Sequence, residues 1–223
     1  MFQDLWSRSL AVLTRPSVET FREFQRDDVG AAFTWVSIAA AIIAVLSAAL
    51  APLQRALIQS QIESTIAQSS ELQTLLSDAN VDVQQINETI LGLTNPVSAF
   101  FVALINGIVG FALVVAFVFL LAKIFGGQGS FGTLAFSLAL FNAPISLANA
   151  VLSFVPFVGG LASLGLWVYG IILTYQSLQA SMNMTSGKAL TVALMPLILT
   201  IALGVCGCIA IFGLISAAFS SMG

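Results

Sequence analysis

The chain has 223 residues, of which 58% are hydrophobic and only 8% are charged, and its mean hydropathy is +1.01. Soluble domains average about 25% charged residues, so this chain has too few polar groups to cover its apolar surface in water. Intrinsic disorder is excluded because it requires low hydrophobicity and high charge. The net charge is −3 and no dense basic cluster occurs, so no nucleic-acid partner is expected. The composition therefore predicts an integral membrane protein whose first partner is the lipid bilayer.

Residues 1–30 carry much of the charge and are predicted to form a cytoplasmic amphipathic arm. Apolar side chains recur near the helical period at Phe2, Leu5, Trp6, Leu10 and Leu13. Pro16 then interrupts the pattern and suits the first turn of a second short helix. The arm is expected to lie on the membrane face or to pack against the protein's own spans, and the two interpretations are compatible.

Five uncharged apolar stretches follow, and each exceeds the roughly 20 residues that a helix needs to cross the hydrocarbon core. They are about 31–53, 96–122, 130–154, 157–180 and 189–217. Runs this long do not fit the alternating pattern of a membrane β-barrel. The predicted fold is therefore all-α, a polytopic bundle of five transmembrane helices with the amphipathic N-terminal arm.

The predicted organisation is the arm, a first span at 31–53, an extracytoplasmic helical segment at 54–95 and a four-span bundle at 96–223. The segment 54–95 is interpreted as a helical hairpin over the mouth of the bundle or as a lid that binds a partner. Six of the seven Lys and Arg residues fall on the N-terminal side of the membrane in this topology, and Arg55 alone falls on the other. The positive-inside rule then predicts a multi-pass protein of the cell (inner) membrane, with its N-terminus cytoplasmic and its C-terminus outside.

The residue types that catalysis and metal binding need are missing from the spans. The chain contains no His, and none of the predicted spans contains Asp or Glu. An enzyme, a cofactor or a metal site is therefore not expected, and a proton-driven carrier is disfavoured. Cys206 and Cys208 are two positions apart on a predicted helix, which directs them to different faces and makes a shared metal site poor geometry.

Small and polar residues form stripes along three predicted spans. The members are Ala99, Ala103, Asn106 and Gly110 in the second span, Asn142, Ser146, Asn149 and Ser153 in the third, and Gly159, Ser163, Gly170, Thr174 and Ser177 in the fourth. Such faces are expected to turn inward, because small residues let helices approach and amide or hydroxyl groups bond across the contact.

Two interpretations of these stripes stay open. In one, the contacts simply hold a packed bundle. In the other, a polar interhelical face formed by Asn106, Asn142, Ser146 and Asn149 lines a cavity or pathway. Pro144 lies within the third span, removes one backbone hydrogen bond and is a candidate hinge.

A glycine-rich turn, Gly-Gly-Gln-Gly-Ser-Phe at 126–131, joins the second and third spans. Its glycines permit the positive φ of a tight reversal. It is interpreted as a helical hairpin turn, or as a contact surface for a cytoplasmic partner. The candidate contact residues are Gly126, Gly127, Gly129 and Phe131.

Several motifs together resemble the YIP family, the Ypt/Rab-interacting multi-pass membrane proteins, in its prokaryotic form. They are Pro16–Phe21, Gly126–Phe131, Asn142-Ala143-Pro144 and Lys188-Ala189-Leu190. The resemblance implies a five-helix membrane domain. Eukaryotic members act in Golgi and endoplasmic-reticulum trafficking and bind prenylated small GTPases. Their N-terminal Asp-Leu-Tyr-Gly-Pro type motif is absent here, which makes binding of small GTPases doubtful.

The expected function is that of a non-enzymatic membrane adaptor or scaffold, acting through contacts with lipids, with other membrane proteins or with further copies of itself. The alternative is a small-solute or ion permease that uses the polar face between spans two, three and four. Replacing Asn142 with Leu separates the two, because it should abolish the flux of a permease and leave an adaptor functional.

Overall fold

The computed structural model describes residues 2–68, 95–153, 155 and 158–199. Within these ranges the secondary structure is helical and contains no strand. The helices are α1 (Phe2–Thr14), α2 (Val18–Glu23), α3 (Val29–Gln68), α4 (Pro96–Ile124), α5 (Phe131–Leu152), α6 (Val158–Ser181) and α7 (Ser186–Leu199). The predicted all-α class is thus confirmed.

Four segments of these helices are long and apolar enough to cross a membrane. They are Val29–Leu53, Pro96–Ile124, Phe131–Leu152 and Val158–Ser181. Their bounds agree with the first four predicted spans to within a few residues, and the protein is a multi-pass membrane protein. The predicted fifth span, 189–217, begins within α7, and its remainder lies outside the described residues together with Cys206 and Cys208.

Polar side chains cap several helix starts and so fix where the helices begin. The Asn95 side chain accepts the Val97 amide at the start of α4 at 3.0 Å, and the Ser130 hydroxyl accepts the Thr133 amide at the start of α5 at 3.2 Å. Ser17 caps α2 in the same way, accepting the Thr20 amide at 3.1 Å. The second helix therefore begins one residue after this cap, and Pro16 lies outside its first turn, contrary to expectation. Each cap satisfies an amide that has no partner within its helix.

The first long helix extends well past the predicted membrane boundary. α3 has 40 residues and continues through Pro52 to Gln68 without a break. Residues 54–68 contain four Gln and two Ala, which are good helix formers, and neither Gly nor Pro, so the change from apolar to mixed composition does not end the helix. The rest of the predicted 54–95 segment, residues 69–94, lies outside the described residues.

α5 is the central helix of the bundle. It packs against α3 and α6 on its two sides and also contacts α1 and α4. Its first half is buried nearly all around, from Gly132 to Phe141 with Phe136 and Leu140 among the least exposed side chains. The main hydrophobic core therefore surrounds the N-terminal half of α5, and buried side chains of α3 and α4 belong to the same core.

Candidate functional site

Three hydrogen bonds tie the N-terminal helices to the spans. The Trp35 indole of α3 donates to the Ser9 hydroxyl at 3.1 Å, and both groups are buried. From α6, the Tyr169 hydroxyl donates to the Leu13 carbonyl at 2.5 Å, and the Gln176 amide donates to the Pro16 carbonyl at 3.2 Å. The chain from α1 to α2 is thus attached to two separate spans.

Apolar packing reinforces this attachment. Leu5, Val12 and Phe21 are almost completely buried, and the Phe21 ring meets Phe141 of α5 edge to face with centroids 6.1 Å apart. Residues 2–24 therefore pack against the protein's own spans, which was one of the two interpretations of the arm.

The same helices also leave apolar side chains uncovered. Phe2, Trp6 and Leu10 stay 52%, 39% and 42% exposed, even though the first two rings rest against Trp35. These side chains are available to a surrounding bilayer, so the second interpretation of the arm stays a prediction.

The outer side of the N-terminal helices is charged. Arg8 pairs with Asp4 at 2.9 Å, one helical turn apart, and its guanidinium lies 5.6 Å from the Phe24 ring centre. Further along, Arg15 and Glu23 are exposed. This side therefore presents charges of both signs on a pair of helices whose other side is bound to the spans.

The glycine-rich turn folds back on the end of α4 and onto the connection between α6 and α7. Gly126 has φ of 87°, which favours glycine, and the Gly127 amide donates to the Ala122 carbonyl at 2.7 Å. The Gln128 amide donates to the Met182 carbonyl at 2.9 Å, and the Lys123 ammonium donates to the Gly129 carbonyl at 2.9 Å. The turn is therefore held by the Ala122 and Met182 carbonyls and by the Lys123 ammonium.

The predicted contact residues of the turn divide into packed and accessible ones. A Cβ on Gly129 would collide with the Ser181 carbonyl oxygen, and one on Gly127 would lie 2.9 Å from the Ala122 carbonyl oxygen. Phe131 is half-buried against Phe119, with ring centres 5.4 Å apart. Gly126 is exposed, and so is Gln128, which the sequence did not single out.

Sequence reasoning missed the second half of this surface, the 182–185 connection. Met182 is buried there and its carbonyl accepts the Gln128 amide, while the carbonyl of the preceding residue, Ser181 at the end of α6, lies against Gly129. Asn183 adopts a positive φ of 51°, a conformation that Asn tolerates better than most residues. An Asn between two apolar helices is the one local signal that could have indicated a tight turn.

A separate cavity of about 370 Å³ lies between α4, α5, α6 and α7. Its polar lining comes from Asn142, Ser146 and Asn149 on one face of α5, and from Thr174 on α6. Among these groups the Ser146 hydroxyl donates to the Asn142 side-chain oxygen at 3.4 Å, and the Thr174 hydroxyl donates to the Gly170 carbonyl at 2.8 Å.

The structure does not bring every residue of the predicted polar face to this cavity. Asn106 is exposed on α4 and does not line it, whereas its neighbour Gly107 faces α3 closely enough that a Cβ there would lie 2.6 Å from the Ala40 Cβ. Pro144 is buried inside α5, which stays one continuous helix, and the hinge stays a prediction. In the described part of the chain no group of three metal-ligating side chains comes together.

The sequence profile of the Yip1 domain matches residues 10–207, most of the chain and every span described above. The chain belongs to the Yip1 domain family. The resemblance drawn from the motifs in the spans and turns is thereby confirmed. No curated protein and no solved structure matches this Yip1 domain.

Proposed function

We propose that this Yip1 domain is a non-enzymatic adaptor or scaffold of the cell (inner) membrane. It works through contacts with other membrane proteins or with lipids. The contact surface is the end of the bundle that carries the N-terminal helices and the turn 126–131, and this end is cytoplasmic.

The observation that carries the proposal is the attachment of residues 2–24 to α3 and α6 by three hydrogen bonds. An unattached amphipathic helix would lose conformational entropy each time it bound a partner. A helix pair that is already fixed by Trp35, Tyr169 and Gln176 presents its outer charged side in one arrangement.

The connections at this end of the bundle lie close enough together to form one surface. We call it the composite surface; it comprises the arm, the turn 126–131 and the 182–185 connection. The start of α5 touches the residues just before α3, since a Cβ on Gly132 would collide with the Asp27 carboxylate. Gly129 abuts Ser181, and a Cβ on Gly126 would lie 3.5 Å from the Lys188 ammonium nitrogen. The arm, the glycine turn and the 182–185 connection therefore meet.

The charge distribution supports the cytoplasmic assignment. Lys123 and Lys188 lie at the end where these connections meet, and the remaining basic residues there are in the first 30 positions. Arg55 alone is placed beyond the other end of the α3 span, on the helix extension. By the positive-inside rule, this distribution favours a cytoplasmic location for the composite surface.

The permease is not proposed. Its path required the polar face to continue onto the second span through Asn106, and that side chain lies outside the cavity on an exposed part of α4.

Site-specific photo-crosslinking tests the adaptor role in intact cells. A photoreactive amino acid at Glu23 or Gln128, both exposed on the composite surface, should give discrete adducts with partner proteins. The matched control is Leu161, which is 73% exposed near the opposite end of α6 and should give none of these adducts. Identical adduct patterns at all three positions, or no protein adduct from the first two, would overturn the proposal.

A further inference from the structure

The cavity between α4, α5, α6 and α7 contains an unpaired hydrogen-bond acceptor. The side-chain oxygen of Asn149 is buried and has no hydrogen-bond partner in the described part of the chain, whereas Asn142 and Ser146 on the same face bond each other. A buried acceptor without a donor destabilises the structure that holds it, and more so where no water competes. The donor must therefore come from outside the described residues.

The remainder of the lining determines what kind of molecule could supply that donor. None of the described residues that line the cavity is charged, so an ion that entered would lose its hydration without gaining a counter-charge from them. The apolar wall combines three aromatic side chains, Phe111, Phe141 and Trp167, with Val, Leu and Ile side chains from all four helices. A neutral molecule with one polar group and an apolar body fits both properties.

The cavity also has access from the surface that faces lipid. Val114 and Trp167 belong to its wall and are nevertheless 52% and 47% exposed. A volume of about 370 Å³ is within the range of small-molecule sites, which starts near 300 Å³. A molecule dissolved in the bilayer could therefore enter between the helices.

We propose that this cavity binds a neutral membrane alcohol, a lipid with a free hydroxyl such as a diacylglycerol or a long-chain alcohol. On binding, the Asn149 side chain rotates so that its oxygen faces the cavity and accepts a hydrogen bond from the hydroxyl, and the chain leaves along Trp167. The site is separate from the composite surface and does not depend on the adaptor role.

Photolabelling of the purified full chain in detergent tests this site with two matched probes. One is a long-chain alcohol that carries a diazirine, and the other is its methyl ether, which lacks the donor. The alcohol should label the wild-type chain saturably at cavity residues, and the ether should label it roughly tenfold less, as the loss of one buried hydrogen bond predicts.

Two pairs of variants locate the site. Asn149→Leu should reduce labelling by the alcohol to the level of the ether, whereas Asn106→Leu, an exposed Asn outside the cavity, should leave it unchanged. Gly170→Leu should fill the cavity and abolish labelling, and Gly165→Leu is its control. Both glycines have open space around an added Cβ, but only Gly170 lines the cavity.

Three outcomes would overturn the proposal. They are equal labelling by the two probes, labelling that survives in both Asn149→Leu and Gly170→Leu, and no saturable labelling at all, which would indicate a cavity filled with water. Size-exclusion profiles identify any variant that fails to fold, and the comparison of alcohol and ether on the wild-type chain decides the question without variants. A diacylglycerol used as an unlabelled competitor then shows whether the natural ligand class carries two chains or one.

Discussion

At the scale of single residues, the packing at the end of the bundle that carries the glycine-rich turn depends on glycines that lie directly against backbone carbonyls. Gly129 lies against the Ser181 carbonyl and Gly127 against the Ala122 carbonyl, so neither tolerates a side chain without movement of a helix end. The glycines that sequence analysis treated as an accessible contact surface are thus partly internal packing. Bulky replacements there would disturb the fold as well as any partner.

Replacing Gly129 with Ala should destabilise the protein by about 1–3 kcal/mol, the cost typical of overpacking. The reason is that the new Cβ collides with the Ser181 carbonyl oxygen, which belongs to the end of α6. Thermal unfolding in detergent, followed by circular dichroism, measures the change. Gly160→Ala is the control, because nothing lies within 4 Å of a Cβ there, and a similar loss in both variants would contradict the prediction.

Replacing Ser9 with Ala should leave the buried Trp35 indole without an acceptor and cost about 1–3 kcal/mol. The exposed Ser7, whose hydroxyl bonds only the Asp4 carbonyl on its own helix, is the matched control and should change stability little as Ala. Unfolding midpoints and limited proteolysis of the N-terminal helices both report the effect. Equal proteolysis rates for the two variants would show that the Trp35 bond does not fix α1.

At the scale of helices, hydropathy does not distinguish the side of a span that packs against another helix from the side that faces lipid. The second span was expected to turn Ala99, Ala103, Asn106 and Gly110 inward, and the structure instead brings Gly107 against Ala40 of α3. Lipid chains are as apolar as Leu or Val, so the side that packs is selected by close approach of small residues and not by hydrophobicity.

The contact between α3 and α4 can be tested at one position. Gly107→Ala places a Cβ 2.6 Å from the Ala40 Cβ and should therefore lower stability by about 1–3 kcal/mol, unless the helices separate. Gly110→Ala, one turn further along the same helix and with open space around the added Cβ, should be neutral. The difference between the two unfolding midpoints is the measurement, and no difference would indicate that α3 and α4 are further apart.

At the scale of the whole molecule, the N-terminal helices lie against the side of the bundle, and the connections at one end contact one another. α1 and α2 occupy the flank of α5 and α6, and the turns after α4 and α6 close against each other. The hydrophobic core is concentrated in the half of the bundle next to these connections.

Cysteine labelling with a membrane-impermeant reagent tests the orientation, in a background where Cys206 and Cys208 are replaced by Ser. Glu23→Cys and Gln128→Cys, both exposed at the proposed cytoplasmic end, should be labelled only after the cells are opened. Ala56→Cys is exposed on the α3 extension and should be labelled in intact cells. The reverse pattern would place the composite surface outside and refute the proposed topology.

The sequence by itself determined the membrane class, the all-α fold, the family and the limits of four spans. These follow from the chain alone, because a bilayer of fixed thickness requires apolar runs of a given length. It also grouped Asn142, Ser146 and Asn149, since the helical period places residues four and three apart on one face whatever surrounds the helix.

Only the tertiary structure decided which faces meet. Ser9 bonds the Trp35 indole, and the Leu13 carbonyl bonds the Tyr169 hydroxyl. Gly129 of the glycine turn lies against Ser181, and Asn106 lies outside the cavity. Each of these contacts joins residues from different helices and depends on how closely two backbones approach. The distance between two helices depends on how the side chains of distant segments fit together. A local pattern of polar and apolar residues carries no information about that fit.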